Sequence, residues 1–249
     1  MKIARLLTTA CLLTLGTAYG QPAPDQIGKI TVQPVEHASL ALSVPGKTIF
    51  VDPVGHSDQL NGMKAPDIVL ITDIHGDHFS PETLEALHLD HATLAVPQAV
   101  ADKLPAAYRS RVVVLHNGDQ KTIKGISVTA MPMYNLPESP DAFHTKGRGN
   151  GYILVLDGKR VYISGDTGGI PEMRSLRDID LAFVCMNLPF TMDIDHAADA
   201  VLAFKPHIVY PYHYRGKSGK SDVAAFKKQV QDKDPAIDVR LRDWYPAEP

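Results

Sequence analysis

Cysteine is nearly missing from this chain, with only Cys11 and Cys185 among 249 residues. Cys11 falls in an N-terminal segment that reads as removable, which excludes a disulfide within one mature chain. Cys185, in the apolar run 181–186, reads as a small buried hydrophobe. Charge of one sign is also in short supply. The formal net charge of −3 gives no general electrostatic grip on nucleic acid. No apolar run approaches the ~20 residues of a membrane-spanning helix. There is no Gly-x-Ser-x-Gly element, which argues against a serine hydrolase. Residues 219–221 resemble the tail of a phosphate-binding loop, but Tyr214 stands where its first glycine is required.

What is present begins with a leader. Lys2 and Arg5 precede the apolar stretch 6–15, and Ala18-Tyr19-Gly20 places small residues where a signal peptidase reads them. This is the pattern of a secretory signal over residues 1–20, cleaved after Gly20, with export to a bacterial periplasm or beyond. The remaining residues, 21–249, suit one α/β domain, and at 44% hydrophobic the chain can build a core unaided. Loss of Lys2 and Arg5 moves the net charge to −5.

Short apolar runs alternate with amphipathic segments, without a linker, charge block or useful internal repeat. Residues 30–35, 39–44 and 48–51 predict an antiparallel meander with Pro45-Gly46 as one turn. Segments 152–156 and 160–164 flank Asp157-Gly158, a strong hairpin signal. Ser80-Pro81-Glu82 predicts a helix start, and 197–204 and 221–230 read as amphipathic helices. An α/β sandwich on mixed sheets fits this order better than a doubly wound fold.

The densest chemistry is Asp73-Ile74-His75-Gly76-Asp77-His78, directly after the apolar run 68–71. The run predicts a buried strand, and the loop beyond it can turn several side chains towards one point. Imidazole and carboxylate together suit Zn²⁺, Mn²⁺ or Fe²⁺. Asp73, His75, Asp77 and His78 are too many ligands for one ion approached from one loop, so they invite two ions and ligands from elsewhere. His144, Asp166 and His213 have the right chemistry. Each lies at or just beyond a strand or hairpin end, where loops gather above a sheet. The alternating glycines of Gly147-Arg148-Gly149-Asn150-Gly151 lead into a strand rather than a helix, which excludes a dinucleotide loop. His56, His88, His91, His116, His196 and His207 have no ligand-like company and read as structural or surface residues.

The order Asp-x-His-x-Asp-His, then His144, then Ser164-Gly165-Asp166-Thr167, then Pro211-Tyr212-His213-Tyr214 resembles the metallo-β-lactamase superfamily. It is most similar to the branch of ascorbate-phosphate lactonases and N-acyl-phosphatidylethanolamine phospholipase D-like hydrolases. His37-Ala38-Ser39 and Asp52-Pro53 add to the likeness, which spans about residues 30–215. The resemblance implies a four-layer αβ/βα sandwich with two mixed sheets flanked by helices. It implies Asp73, His75 and His144 around a first divalent ion, Asp77, His78 and His213 around a second, and Asp166 bridging both. Zinc is the first expectation. The family usually has His where this chain has Asp73, and the harder carboxylate tilts that site towards Mn²⁺ or Fe²⁺ or weakens it. His37 would support the ligands from behind.

Two such ions lower the pKa of a shared water from ~15.7 towards neutrality, and Asp77 would orient the resulting hydroxide as the catalytic carboxylate. The expected reaction is cleavage of an ester, lactone, amide or phosphoester in a small, anionic substrate. Arg148 and Tyr214, with Lys146 and Arg215, are the candidates for binding its charge. The rivals are an iron-dependent redox enzyme on the same fold and a metal-binding protein that has lost catalysis. For the leader, N-terminal sequencing of the exported protein is expected to begin at Gln21; a mature chain beginning at Met1 refutes the signal.

Overall fold

The computed structural model describes residues 23–55 and 57–245. The leader and His56 lie outside the described residues. The first sheet follows chain order: β1 (Asp25–Ile27), β2 (Ile30–Glu36), β3 (Ser39–Val44), β4 (Lys47–Val51), β5 (Ile68–Leu70), β6 (Thr93–Val96) and β7 (Val112–Val114). β1 to β4 form the antiparallel meander, turning at Gly46 with φ +80°, and β4 to β7 run parallel. The parallel half is connected through the short helices α1 (Ser57–Asn61), α2 (Pro81–Ala86) and α3 (Gln98–Ala101). Ser80 caps α2 as the sequence predicts, its Oγ accepting from Thr83 N at 3.1 Å, with Pro81 in the first turn.

The second sheet repeats the plan. β8 (Gln120–Ile123), β9 (Ile126–Met133), β10 (Gly149–Leu156) and β11 (Lys159–Ile163) pair antiparallel. Asp157 (φ +47°) and Gly158 (φ +77°) make the tight turn between β10 and β11. β12 (Leu181–Cys185) and β13 (Ile208–Tyr212) continue in parallel; a small hairpin, β14 (Arg215–Gly216) and β15 (Gly219–Lys220), follows, and β16 (Asp238–Val239) closes the parallel edge. Helices α4 (Pro171–Arg174), α5 (Ile194–Phe204) and α6 (Val223–Lys233) make the crossovers. Three antiparallel pairings followed by three parallel ones occur in both sheets, although the sequence shows no useful repeat. The packing constraints are shared while the side chains are not.

Alternation decides the layers. In β3, Leu40 and Leu42 join a core cluster with Val128, Tyr152, Leu154 and Ile163 of the second sheet, whereas Ala41 faces a separate cluster with Leu84 and Val100 of the helices. α5 and α6 cover the second sheet with Ala197, Val201, Phe204, Phe226 and Val230. The result is helix, sheet, sheet, helix, as expected. The helix starts differ slightly from the apolar pattern, because caps rather than hydrophobicity set them: Asp193 accepts from His196 N at 2.8 Å and Asp222 from Ala225 N at 2.9 Å. Cys185 is buried as a free thiol, as expected. Among the described residues no helix is long and apolar enough to cross a membrane.

One polar clasp ties the edge of the first sheet to the second. Asp25 accepts from Tyr210 Oη at 2.8 Å, Arg240 Nη1 at 3.0 Å and Arg242 Nη2 at 2.5 Å. Burial pushes the carboxyl pKa up, but these bonds outweigh it and lower it below the usual value. Because the folded value is depressed, the stabilisation is present above ~pH 4 and fades as pH falls through the folded value. Asp25→Asn is expected to lose about 1.5–3 kcal/mol at neutral pH. Urea midpoints measured from pH 7 to 3 should fall less steeply for this variant than for the unaltered chain; parallel curves would refute the clasp.

Candidate metal centre

Chain ends and loops at one rim of both sheets supply the site. The loop after β5 turns sharply, with His78 N and Phe79 N both donating to His75 O at 3.0 and 2.9 Å. This folds Asp73 and His78 to the inside, where they are fully buried, and leaves His75 and Asp77 partly open. Asp166 follows β11 and His213 follows β13; both are buried. His144 is held by its own loop. Its N–H donates to Asn135 Oδ1 at 2.8 Å, and its Nδ1–H to Phe190 O at 3.2 Å, which leaves Nε2 as a lone pair facing inward.

The seven predicted residues meet, in two groups. Asp77, His78, Asp166 and His213 form one, and Asp73, His75 and His144 the other. In the first group His213 Nε2 lies 3.1 Å from His78 Nε2, 3.3 Å from Asp77 Oδ2 and 3.4 Å from Asp166 Oδ1, while His78 Nε2 is 3.3 Å from Asp166 Oδ2. In the second, His75 Nδ1 lies 3.2 Å from His144 Nε2 and 2.9 Å from Asp73 Oδ2; His144 Nε2 is 3.8 Å from Asp73 Oδ2. Asp166 Oδ2 stands 3.1 Å from His144 Nε2, so this carboxylate touches both groups.

These spacings fit cations. Four ligands on bonds of about 2.0–2.1 Å in a tetrahedron stand roughly 3.3 Å apart. His78 Nδ1–H donates to Asp52 Oδ2 at 2.8 Å, which turns its Nε2 towards His213 Nε2. Two ring nitrogens this close need a proton or a metal cation between them. Asp166 Oδ1 is buried without a hydrogen-bond donor, and a cation would satisfy it.

Electrostatics points the same way. Burial pushes the His78 imidazole towards its neutral form, but the Asp166 and Asp52 carboxylates overcome this and favour positive charge there. Burial likewise opposes ionisation of Asp166 and Asp77; the surrounding histidines outweigh it and hold both well below the usual carboxylate range. Asp73 is lowered to about 2, burial being overcome by hydrogen bonds from His75 and Arg148.

Several supporting residues carried little or no signal in the sequence. Asp52, at φ +43°, accepts from Thr72 N at 2.7 Å and Thr72 Oγ1 at 2.6 Å besides His78, so it fixes the imidazole's tautomer and direction. A carboxylate immediately after an apolar strand was the available clue, as for Asp166. Tyr245 gave none. Its hydroxyl accepts from Tyr214 N at 3.1 Å and Arg215 N at 3.0 Å, which sends its proton to His37 Nδ1 at 2.7 Å. His37 Nε2–H then donates to Asp77 Oδ2 at 3.3 Å, the supporting position expected for it. His37 and His213 both hold positive φ, +53° and +49°, a conformation other contacts must enforce.

A cavity of about 260 Å³ opens on the centre, lined by His75, Asp77, Phe143, His144, Asp166, Asn187 and Phe190. Arg148 and Tyr214, expected as substrate-binding residues, are not among the residues that line it. The Arg148 guanidinium turns inward to Asp73, and the Tyr214 side chain is buried against Tyr245 with its hydroxyl 3.5 Å from Arg242 O. Lys146 pairs with Glu138 and Glu172, and Arg215 stacks over Tyr245. His116, His196 and His207 pair with Asp119, Asp193 and Asp180, and His88 and His91 are exposed, all away from the centre.

Residues 31–213 match the family described as a beta-lactamase superfamily domain. A UPF0173 metal-dependent hydrolase of Staphylococcus saprophyticus is 31% identical over 189 residues, 68% of this chain and 79% of the relative. A protein of the same name from Pyrococcus abyssi is 29% identical over 197 residues, 75% and 86% of the two chains. Among solved structures, a candidate metal-dependent hydrolase of Parabacteroides distasonis superimposes with a TM-score of 0.79 at 37% identity, covering 90% of this chain and 99% of the other. With that match, the two seven-stranded sheets and the ligand-type side chains gathered at their rim, this chain belongs to the metallo-β-lactamase superfamily, among relatives named metal-dependent hydrolases.

Proposed function

We propose that the protein is an exported hydrolase that works with two divalent metal ions, zinc first among them. The observation that carries this reading is the pair of ligand groups sharing Asp166 on the floor of one open cavity. Asp73, His75 and His144 would hold one ion, Asp77, His78 and His213 the other, with Asp166 between. Bound divalent metal supplies Lewis acidity and an acidic water. The chain supplies the rest. Asp77, half exposed on the cavity wall and kept ionised, accepts a hydrogen bond from the attacking water and aims it. Asp52 and the Phe190 carbonyl hold His78 and His144 in the ligand tautomer. Tyr245 and His37 fix Asp77 from behind.

The substrate reading is narrower than the sequence suggested. At about 260 Å³ the cavity suits a small molecule. Phe143 and Phe190 meet edge to face at 5.1 Å on its wall, so an apolar group would lie beside the scissile ester, lactone or phosphoester. Arg148, Lys146 and Arg215 each have a partner within the chain, so attraction for an anionic group would come from the metal ions themselves. Export rests on residues 1–20 alone.

The deciding experiment combines metal analysis of the purified mature protein with turnover on a panel of esters, lactones and phosphodiesters. Chelation should abolish turnover and Zn²⁺ or Mn²⁺ should restore it; His75→Ala should lose metal and turnover together. Stoichiometric iron with O₂-dependent chemistry would establish the redox alternative, and bound metal without turnover on any substrate the binding-protein one. Independently, Asp52→Asn is expected to weaken metal binding by about 10–100-fold while the protein stays folded, measured by chelator competition and circular dichroism. Unchanged affinity would remove Asp52 from the site.

A further inference from the structure

Asp73 is the carboxylate among the ligand-type residues whose two oxygens are both engaged by a cation. Arg148 Nε donates to Asp73 Oδ1 at 3.1 Å and Nη2 to Asp73 Oδ2 at 2.8 Å, a two-pronged pairing that only a guanidinium can make. The same Nη2 donates to Phe143 O at 2.6 Å, one residue before His144, and lies 3.4 Å from His75 Nε2. One side chain therefore touches or adjoins all three members of the Asp73, His75, His144 group. Asp73 is fully buried, and a buried carboxylate beside Asp166 would otherwise add uncompensated negative charge to the centre.

The glycines around Arg148 make this contact sterically feasible. Gly147 has φ +87°, which lets the chain double back after His144. A Cβ on Gly149 would run into the Met133 side chain, come within 2.8 Å of Thr72 O and reach Asp73 Oδ1 at 3.3 Å. A Cβ on Gly151 would stand 2.8 Å from Ser164 O and 2.9 Å from Ile163 O. The start of β10 thus lies against the end of β5 and the end of β11, and Asn150 N donates to Thr72 O at 2.9 Å across that seam. The alternating glycines, unexplained by any nucleotide loop, are what bring Arg148 to Asp73.

We propose that Arg148 is the positioning residue that makes Asp73 a usable metal ligand, the Asp73–Arg148 ion pair acting as one neutral donor equivalent to an imidazole. The guanidinium occupies one edge of the carboxylate, while Oδ2 also stands 2.9 Å from His75 Nδ1 and 3.8 Å from His144 Nε2, so with an ion bound these three atoms would hold it. This inference rests on the two-ion reading of the centre. It deepens that reading by naming what balances its charge.

The test measures metal rather than turnover. Metal per chain and the dissociation constant of each ion would be determined for the full mature chain, by elemental analysis and competition against a chelating dye with Zn²⁺ and Mn²⁺. The unaltered protein should hold two ions. Arg148→Met should weaken one of them by about 10–100-fold and leave the other unchanged, and Arg148→Lys should lie between. The double variant Asp73→His with Arg148→Met should regain both ions, since a neutral ligand needs no counter-cation; this rescue separates charge balance from a fold defect, which circular dichroism also reports. Two ions of unaltered affinity in Arg148→Met would overturn the proposal. So would an ion gained by Arg148→Met over an unaltered protein that holds one, because Arg148 would then be blocking the site. An unaltered protein that holds no metal would sink the hydrolase reading as well.

Discussion

The structure turns on the concentration of buried charge at one rim of the two sheets. Asp52, Asp73 and Asp166 are out of water, as are His78, His144 and His213. Ionised carboxylates cost several kcal/mol each to desolvate unless they are paired, and imidazole nitrogens 3.1–3.2 Å apart need a proton or a metal cation between them. Several nearby groups are therefore committed. Thr72 serves Asp52, Arg148 serves Asp73, and the Phe190 carbonyl turns His144. What these partners leave over, chiefly Asp166 Oδ1 and the opposed nitrogens, is a deficit of positive charge at defined points. A site that is short of cations in this geometry is suited to binding metal.

Such a centre needs a rigid scaffold, because its ligand-type side chains come from loops that follow β5, β9, β11 and β13. The sheets supply rigidity through two-sided burial: β5 and β12 are apolar on both faces. Part of the backbone strain sits at the rim. His37, Asp52 and His213 hold positive φ, each locked by hydrogen bonds to another part of the chain. Placing the strained residues beside the most stable strands lets packing remote from the centre offset their conformational cost.

The secondary structure was largely legible. Apolar runs flanked by turn residues marked the meander, the Asp157-Gly158 hairpin and β5, since alternation and turn chemistry are local properties. The ligand-type residues that cluster were legible for a related reason: a carboxylate or imidazole just past a buried strand has few structural excuses. Roles that depend on a partner remote in sequence were not. Arg148 looked free to bind substrate because nothing near it in the chain announces Asp73, 75 positions away. Tyr214 neighbours His213 in the chain, yet it is buried against Tyr245. The doubling of the sheet plan was also invisible, since the same pairing pattern tolerates different side chains.

By itself the sequence determined the strand and helix inventory, the identity of the metal-capable side chains and the strand-end loops that carry them. These follow from periodicity, turn preference and donor chemistry, which act over a few residues. Tertiary structure alone decided which nitrogen of each histidine faces the centre, which carboxylate is shared, and which arginine is spent inside rather than offered to a ligand. Those outcomes depend on distances between segments up to 208 residues apart, as between His37 and Tyr245. Hydrogen-bond direction and charge compensation are settled at that range only once the two sheets have packed.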